Sequence, residues 1–147
     1  MFKQVTAAID GSPTSLLALE TAAHIAEQDH AELQIISIIE PLPIILAGTS
    51  TSTINETHME TLNQYYKKLH HEQEHQLRKT YPDLKITTVI KTGRPAEKIQ
   101  ETAQDTDLIV IGHRGKSGIE SLILGSVAKE ILDQCSAPVL VVKTCRI

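Results

Sequence analysis

A chain of 147 residues fits one domain with a core large enough to fold alone, and two domains would be crowded. A net charge of -4 and a pI near 5.9 leave no basic footprint for nucleic acid. The opening MFKQVTAAID reaches a polar turn too soon to supply a signal-peptide apolar region, and no apolar run approaches membrane-spanning length, so the expectation is a cytoplasmic protein without membrane insertion. Its two cysteines, Cys135 and Cys145, form no CxxC pair and are expected as reduced thiols, with a disulfide between them left open.

Strand and helix patterns alternate along the chain without an internal repeat. Residues 2–9 read as a first strand, ended by Asp10-Gly11-Ser12-Pro13, where Ser12 can cap a helix and Pro13 suits its first turn. That helix is expected to run to about Gln28. Residues 31–39, with the run LQIISII, have the near-continuous apolar character of a strand buried on both faces of a parallel sheet, and Pro41 and Pro43 stop it. The segment from Glu40 to Asn55 mixes apolar and Ser/Thr residues and reads as a long mobile loop or lid over the sheet. A long helix follows over 56–80, a third strand over 84–91, a Gly93-Arg94-Pro95 turn and a third helix over 96–104. Residues 108–111 make a fourth strand, 125–134 a fourth helix and 138–143 a last strand. This rhythm calls for an α/β fold with right-handed crossovers and helices on both faces of an open, mainly parallel sheet of five strands.

The stretch from Gly112 to Ser126, GHRGKSGIESLILGS, carries the most information. Glycines at 112 and 115 leave backbone amides uncovered, and Gly125-Ser126 opens a helix, whose unpaired N–H groups and positive dipole end favour an anion. Ligands of doubly wound sheets bind beyond the carboxyl ends of the strands, where the strand order reverses. Both this loop and Asp10-Gly11-Ser12 look built for that place; the order 3-2-1-4-5, inferred from them, sets the two side by side and makes the crevice between the first and fourth strands the expected site.

Together these residues resemble the universal stress protein family, in its ATP-binding branch. The signature Gly112-x2-Gly115-x9-Gly125-Ser126 carries the likeness, with Asp10-Gly11-Ser12, the Gly93-Arg94-Pro95 turn, DLIVIG at 107–112 and APVLVVK at 137–143. The resemblance covers nearly the whole chain. It implies a single Rossmann-like nucleotide-binding domain over 1–147 that takes ATP, or ADP or AMP, as ligand. Carried over residue by residue, it implies nucleotide contacts from Ala8 and Asp10, with Asp10 near ribose and Mg²⁺. It implies apolar contacts from Ile38 and Ile111, and phosphate and ribose contacts from Gly112, Gly115, Gly125, Ser126 and Val127. Ala8 stands where some relatives carry Pro. Contacts from Arg114 and Lys116, at variable positions, are a separate conjecture. Asp10 as a helix cap, and Ile38 and Ile111 as plain core, are the competing readings.

Three other motifs fail on their context. A P-loop would need glycine at position 110, where Val110 sits inside a strand, and no GxGxxG fingerprint occurs. His71-Glu72-Gln73-Glu74-His75 satisfies HExxH, yet at about 100° per residue both histidines fall opposite the face of Leu62, Tyr65, Tyr66, Leu69 and Leu77. Those histidines are expected in water, on a helix far from the crevice, with adventitious metal binding by His70, His71 and His75 as the exception. Ser126 lies in the phosphate loop rather than a GxSxG elbow.

Two function classes remain. One is an ATP-binding stress-response or regulatory module, acting as a homodimer and on an unidentified regulatory protein. The other is a slow ATPase or phosphoryl-transfer enzyme using the same loop, for which the chain offers no compelling base beyond His113. The apolar strand from Val139 to Lys143, at a sheet edge, is the expected dimer contact, unless the fourth helix and the tail from Thr144 to Ile147 shield it.

Overall fold

A computed structural model describes residues 1–43, 51–115 and 124–144. Among these, the elements run β1 (Gln4–Ala8), α1 (Pro13–Asp29), β2 (Glu32–Ile39), α2 (Thr51–Thr80), β3 (Ile86–Thr92), α3 (Pro95–Thr102), β4 (Leu108–Gly112), α4 (Ser126–Gln134) and β5 (Val139–Val142). All strands are parallel, in the order β3-β2-β1-β4-β5 expected from the sequence.

Side chains alternate across the central strands and feed two cores. Val5 and Ala7 of β1, with Ile9 just after it, and Leu33, Ile35 and Ile39 of β2 face α1 and α2. Ile36, Ile109 and Ile111 face α3 and α4, where Ile99 and Ile131 meet them. Helix α1 lies close on the sheet because Ala18, Ala22, Ala23 and Ala26 form its buried stripe. Ser12 caps its start, accepting from Ser15 N, with Pro13 in the first turn.

One boundary differs from the sequence reading. Helix α2 begins at Thr51, so residues 51–55 belong to the helix rather than to the expected loop, while residues 44–50 and any lid over them lie outside the described residues. Threonines here do not break the helix, because their hydroxyls bond back to it: Thr57 Oγ1 donates to Thr53 O at 3.0 Å and Thr61 Oγ1 to Thr57 O at 2.8 Å. The Gly93-Arg94-Pro95 turn forms as expected. Gly93 has φ +144°, open to glycine alone, and its N–H donates to Ile39 O.

Candidate functional site

Strand order reverses at β1, which pairs with β2 on one side and β4 on the other. The register sets Ala8 opposite Ile111, so the chain leaves both strands at the same level, and residues 10–12 and 112–115 run side by side. Thr14 Oγ1 donates to Arg114 O at 2.6 Å and ties the start of α1 to the second loop.

Asp10 sits at the centre of this junction. Its Oδ1 accepts from Ser12 N at 2.9 Å, and its own N–H donates to Ser15 Oγ at 3.3 Å. Its carboxylate therefore shapes the turn as well as facing the second loop. A Cβ on Gly115 would stand 2.8 Å from Asp10 Oδ2, so only glycine lets the loop lie against that oxygen.

The other glycines divide the work differently. At Gly112 a Cβ would stand 2.9 Å from the Thr14 carbonyl carbon and 3.0 Å from Ser15 N, so its bareness admits the backbone of α1. Gly125 is the N-cap of α4, and its N–H donates to His113 O at 2.6 Å. As a glycine, the N-cap brings no side chain of its own to the first amides of α4. Ser126, its first residue, is exposed. Ala8, Ile38 and Val127 are half-buried and pack with the buried Ile111 in the α3–α4 core.

His113, weighed as a group to orient water, is only 5% exposed and its N–H donates to Val142 O. Burial lowers its pKa, with a further push from Arg114 and Lys143. Lys116 lies outside the described residues.

Sequence reasoning missed the part α2 plays here, and the expectation that this helix stands far from the crevice is overturned. Tyr65 lies over Gly11, where a Cβ would collide with the tyrosine hydroxyl; Gly11 also has φ +87°, which selects glycine independently. Tyr66 packs edge-to-face on Tyr65, with ring centroids 5.2 Å apart. Its hydroxyl pKa is pushed up to about 12, first by burial and then by the negative charge of Asp10. The physical reason is length: a helix of 30 residues that packs along β2 and β3 carries its middle past the end of β1. The signal was present in the apolar face through Tyr65, Tyr66 and Leu69, but periodicity gives a face and not what it touches.

His71 and His75 are exposed, as the helical projection required, and no group of three His, Cys, Asp or Glu side chains comes together among the described residues. His70, grouped with them for adventitious metal binding, is instead buried at 3% exposure and bonded to Ser37. One position along a helix turns a side chain by about 100°, enough to move it from solvent to core.

The model of the universal stress protein family matches residues 1–143. The chain belongs to that family. It is 35% identical to the universal stress protein MJ0531 of Methanocaldococcus jannaschii over 147 residues, covering 97% of this chain and 83% of the relative. It is 30% identical to the universal stress protein YxiE of Bacillus subtilis, covering 97% of this chain and all of that one. Among solved structures it resembles the universal stress protein UspA from Lactobacillus plantarum, with TM-score 0.87 and 19% identity over 95% of this chain and 97% of that one. Two further universal stress proteins share the fold with lower TM-scores. One was solved in complex with cAMP, with TM-score 0.63 and 24% identity, covering 98% of each chain. The other, from Archaeoglobus fulgidus, was solved with dAMP, with TM-score 0.57 and 17% identity over 97% of this chain and 98% of that one.

Proposed function

We propose that this universal stress protein binds an adenine nucleotide, ATP in the first instance, in the crevice between β1 and β4, and acts as a cytoplasmic homodimeric regulatory module rather than as a dedicated enzyme. The observation that carries the reading is the junction of Asp10 with Gly115 beside the glycine-led start of α4. Bare backbone and the N-terminal end of a helix suit phosphate, and one carboxylate close by suits a cation that travels with it. The cAMP and dAMP complexes of two family members support an adenine ligand for this fold.

The residues fit the roles implied for them. Ala8, Ile38, Ile111 and Val127 supply an apolar floor for base and ribose; Gly112 and Gly115 shape the loop; Gly125 and Ser126 open the helix that receives phosphate. Asp10 is the protein carboxylate for Mg²⁺. Phosphate oxygens and water would supply the remaining ligands of that ion, as is usual for Mg²⁺ held with a nucleotide. The ion would neutralise phosphate charge. His113 is poorly placed to orient a nucleophilic water, because its ring is buried, and this favours occupancy over turnover.

The deciding experiment is mass spectrometry of the small molecule released on denaturing protein purified from cells without added nucleotide. ATP at near one per chain is the expected result. ADP or AMP would revive the slow-hydrolysis reading, and a chain that is empty and takes up no added ATP would overturn nucleotide binding.

A further inference from the structure

The face of α2 over residues 65–70 docks on the turn that carries Asp10. Tyr65 and Leu69 meet Gly11, with Leu69 Cδ2 3.6 Å from a Cβ built there, and Tyr66 feels the charge of Asp10. One turn further, His70 Nε2 lies 2.7 Å from Ser37 Oγ, which donates at 2.7 Å to the carbonyl of Ile9, the residue before Asp10. Ser37 has one proton and spends it on Ile9, so the network assigns the proton of this imidazole to Nε2 and leaves Nδ1 a bare acceptor. Nδ1 is buried and meets no hydrogen-bond partner among the described residues.

We propose that His70 is a positioning residue for the ligand turn: through Ser37 it holds the end of β1, and with it Asp10, only while its ring is neutral, so that acid undocks α2 and weakens the site. The inference rests on the nucleotide reading above. A second proton on His70 must go to Nδ1, where a charged donor would be buried without an acceptor. Burial alone lowers the pKa of this ring, to about 4. No carboxylate of the neighbouring elements offsets that: Ile35, Ser37 and Ile39 of β2 and Ile86 and Ile90 of β3 face α2, and none titrates. The titratable groups near this contact among the described residues include Asp10 of the turn and Tyr65 and Tyr66 of α2 itself; Lys67 and His71 are turned to solvent, and Glu74, one turn on, is paired with Arg78. Once released, the ring titrates near its ordinary 6.5, so at pH 5 the docking equilibrium falls by about 30-fold.

The test compares the full chain with His70→Gln, whose side-chain N–H reaches Ser37 as Nε2 does and does not titrate. ATP affinity is measured by calorimetry from pH about 7.5 to about 5, and the tyrosine near-ultraviolet circular dichroism is followed over the same range. The chain has three tyrosines and no tryptophan, so this signal reads the Tyr65–Tyr66 contact closely. At neutral pH the variant is expected to bind ATP within about threefold of wild type, and at pH about 5 wild type is expected to fall about tenfold or more below it. The wild-type tyrosine signal is expected to change while the helical signal persists, and the variant's to stay flat. Parallel affinity profiles for the two proteins overturn the proposal. If neither binds ATP at neutral pH, the nucleotide reading has failed, and the tyrosine signal still decides the latch: no acid change in wild type overturns it. Should His70→Gln not fold, Ser37→Ala replaces it; it is expected to move the acid transition to higher pH, and an unmoved midpoint overturns the role given to the Ser37 contact.

Discussion

Gly115 and Asp10, 105 positions apart in the chain, meet so closely that a Cβ on the glycine would stand 2.8 Å from the carboxylate Oδ2. The neighbour that must yield is a side chain, and Gly115 lacks a positive φ. Gly115→Val is therefore expected to fold, with a Tm within a few degrees of wild type, while displacing Asp10 and lowering ATP affinity by about tenfold or more, a loss of about 1.4 kcal/mol. Calorimetry beside a thermal melt separates the two effects. Unaltered affinity in the folded variant removes this contact from the site.

Gly112 answers differently to the same change. A Cβ there meets the backbone of Thr14 and Ser15, which cannot rotate away, so α1 itself must shift. Gly112→Ala is expected to cost about 1–3 kcal/mol of stability, as overpacking does elsewhere, and to lower affinity mainly through the fold. A urea melt equal to wild type would mean that α1 is less tightly seated on β4 than the structure has it.

Asp10 shapes its turn and, in the reading proposed above, faces Mg²⁺, and one substitution separates the two. Asp10→Asn keeps an oxygen to accept from Ser12 N, so the turn is retained, but removes the negative charge. Mg-ATP affinity is expected to fall by about tenfold, and ATP without metal to bind as well or better once carboxylate–phosphate repulsion is gone. Equal losses with and without Mg²⁺ would leave Asp10 a turn-shaping residue alone.

The fold was legible because β-α alternation, the Ser12-Pro13 start of α1 and the unbroken apolar run of β2 each fix one local choice, and the choices agree. The two glycine-bearing loops gave the place of the crevice for the same reason: their chemistry is local, and the strand order brings them together. What stayed hidden was non-local. Tyr65 read only as part of an apolar face, and His70 only as a companion of His71 and His75 in adventitious metal binding, because helical projection ranks sides of a helix and is blind to the turn of another element that the helix crosses. Thr51 to Asn55 read as loop because Ser and Thr composition does not reveal where the hydroxyls bond, and nearby Thr57 and Thr61 bond back into the helix.

Asp107, just before β4, accepts from Lys3 N at 2.6 Å and Gln4 N at 3.0 Å, and so anchors the first strand beside the fourth. The hydrogen bond from Lys3 N, then that from Gln4 N, holds its pKa below the ordinary 3.8. A carboxylate depressed in the folded state contributes stability that is present above the unfolded value and lost as pH falls through 3.8 toward the lowered value. Asp107→Asn is expected to lower the urea midpoint at neutral pH and to flatten its acid dependence below pH about 4. A variant whose acid slope matches wild type would assign that slope to other carboxylates.

The edge of the sheet gives the test of assembly. β5 pairs with β4 alone, and the bonds Ile109 N to Pro138 O and His113 N to Val142 O turn residues 138 and 142 toward β4. Alternation then points the backbone of Val139 and Val141 to the open edge, where a second copy could add its own strand. The Val141 side chain packs into the α3–α4 core, so a charge there would disturb the protomer as well. Proline is the cleaner probe, because it deletes the outward N–H and leaves the β4 ladder its partners. Val141→Pro is expected to convert a dimer in solution to a 16.2 kDa monomer by light scattering, with its circular dichroism retained. A dimer of unchanged affinity would move the interface away from β5.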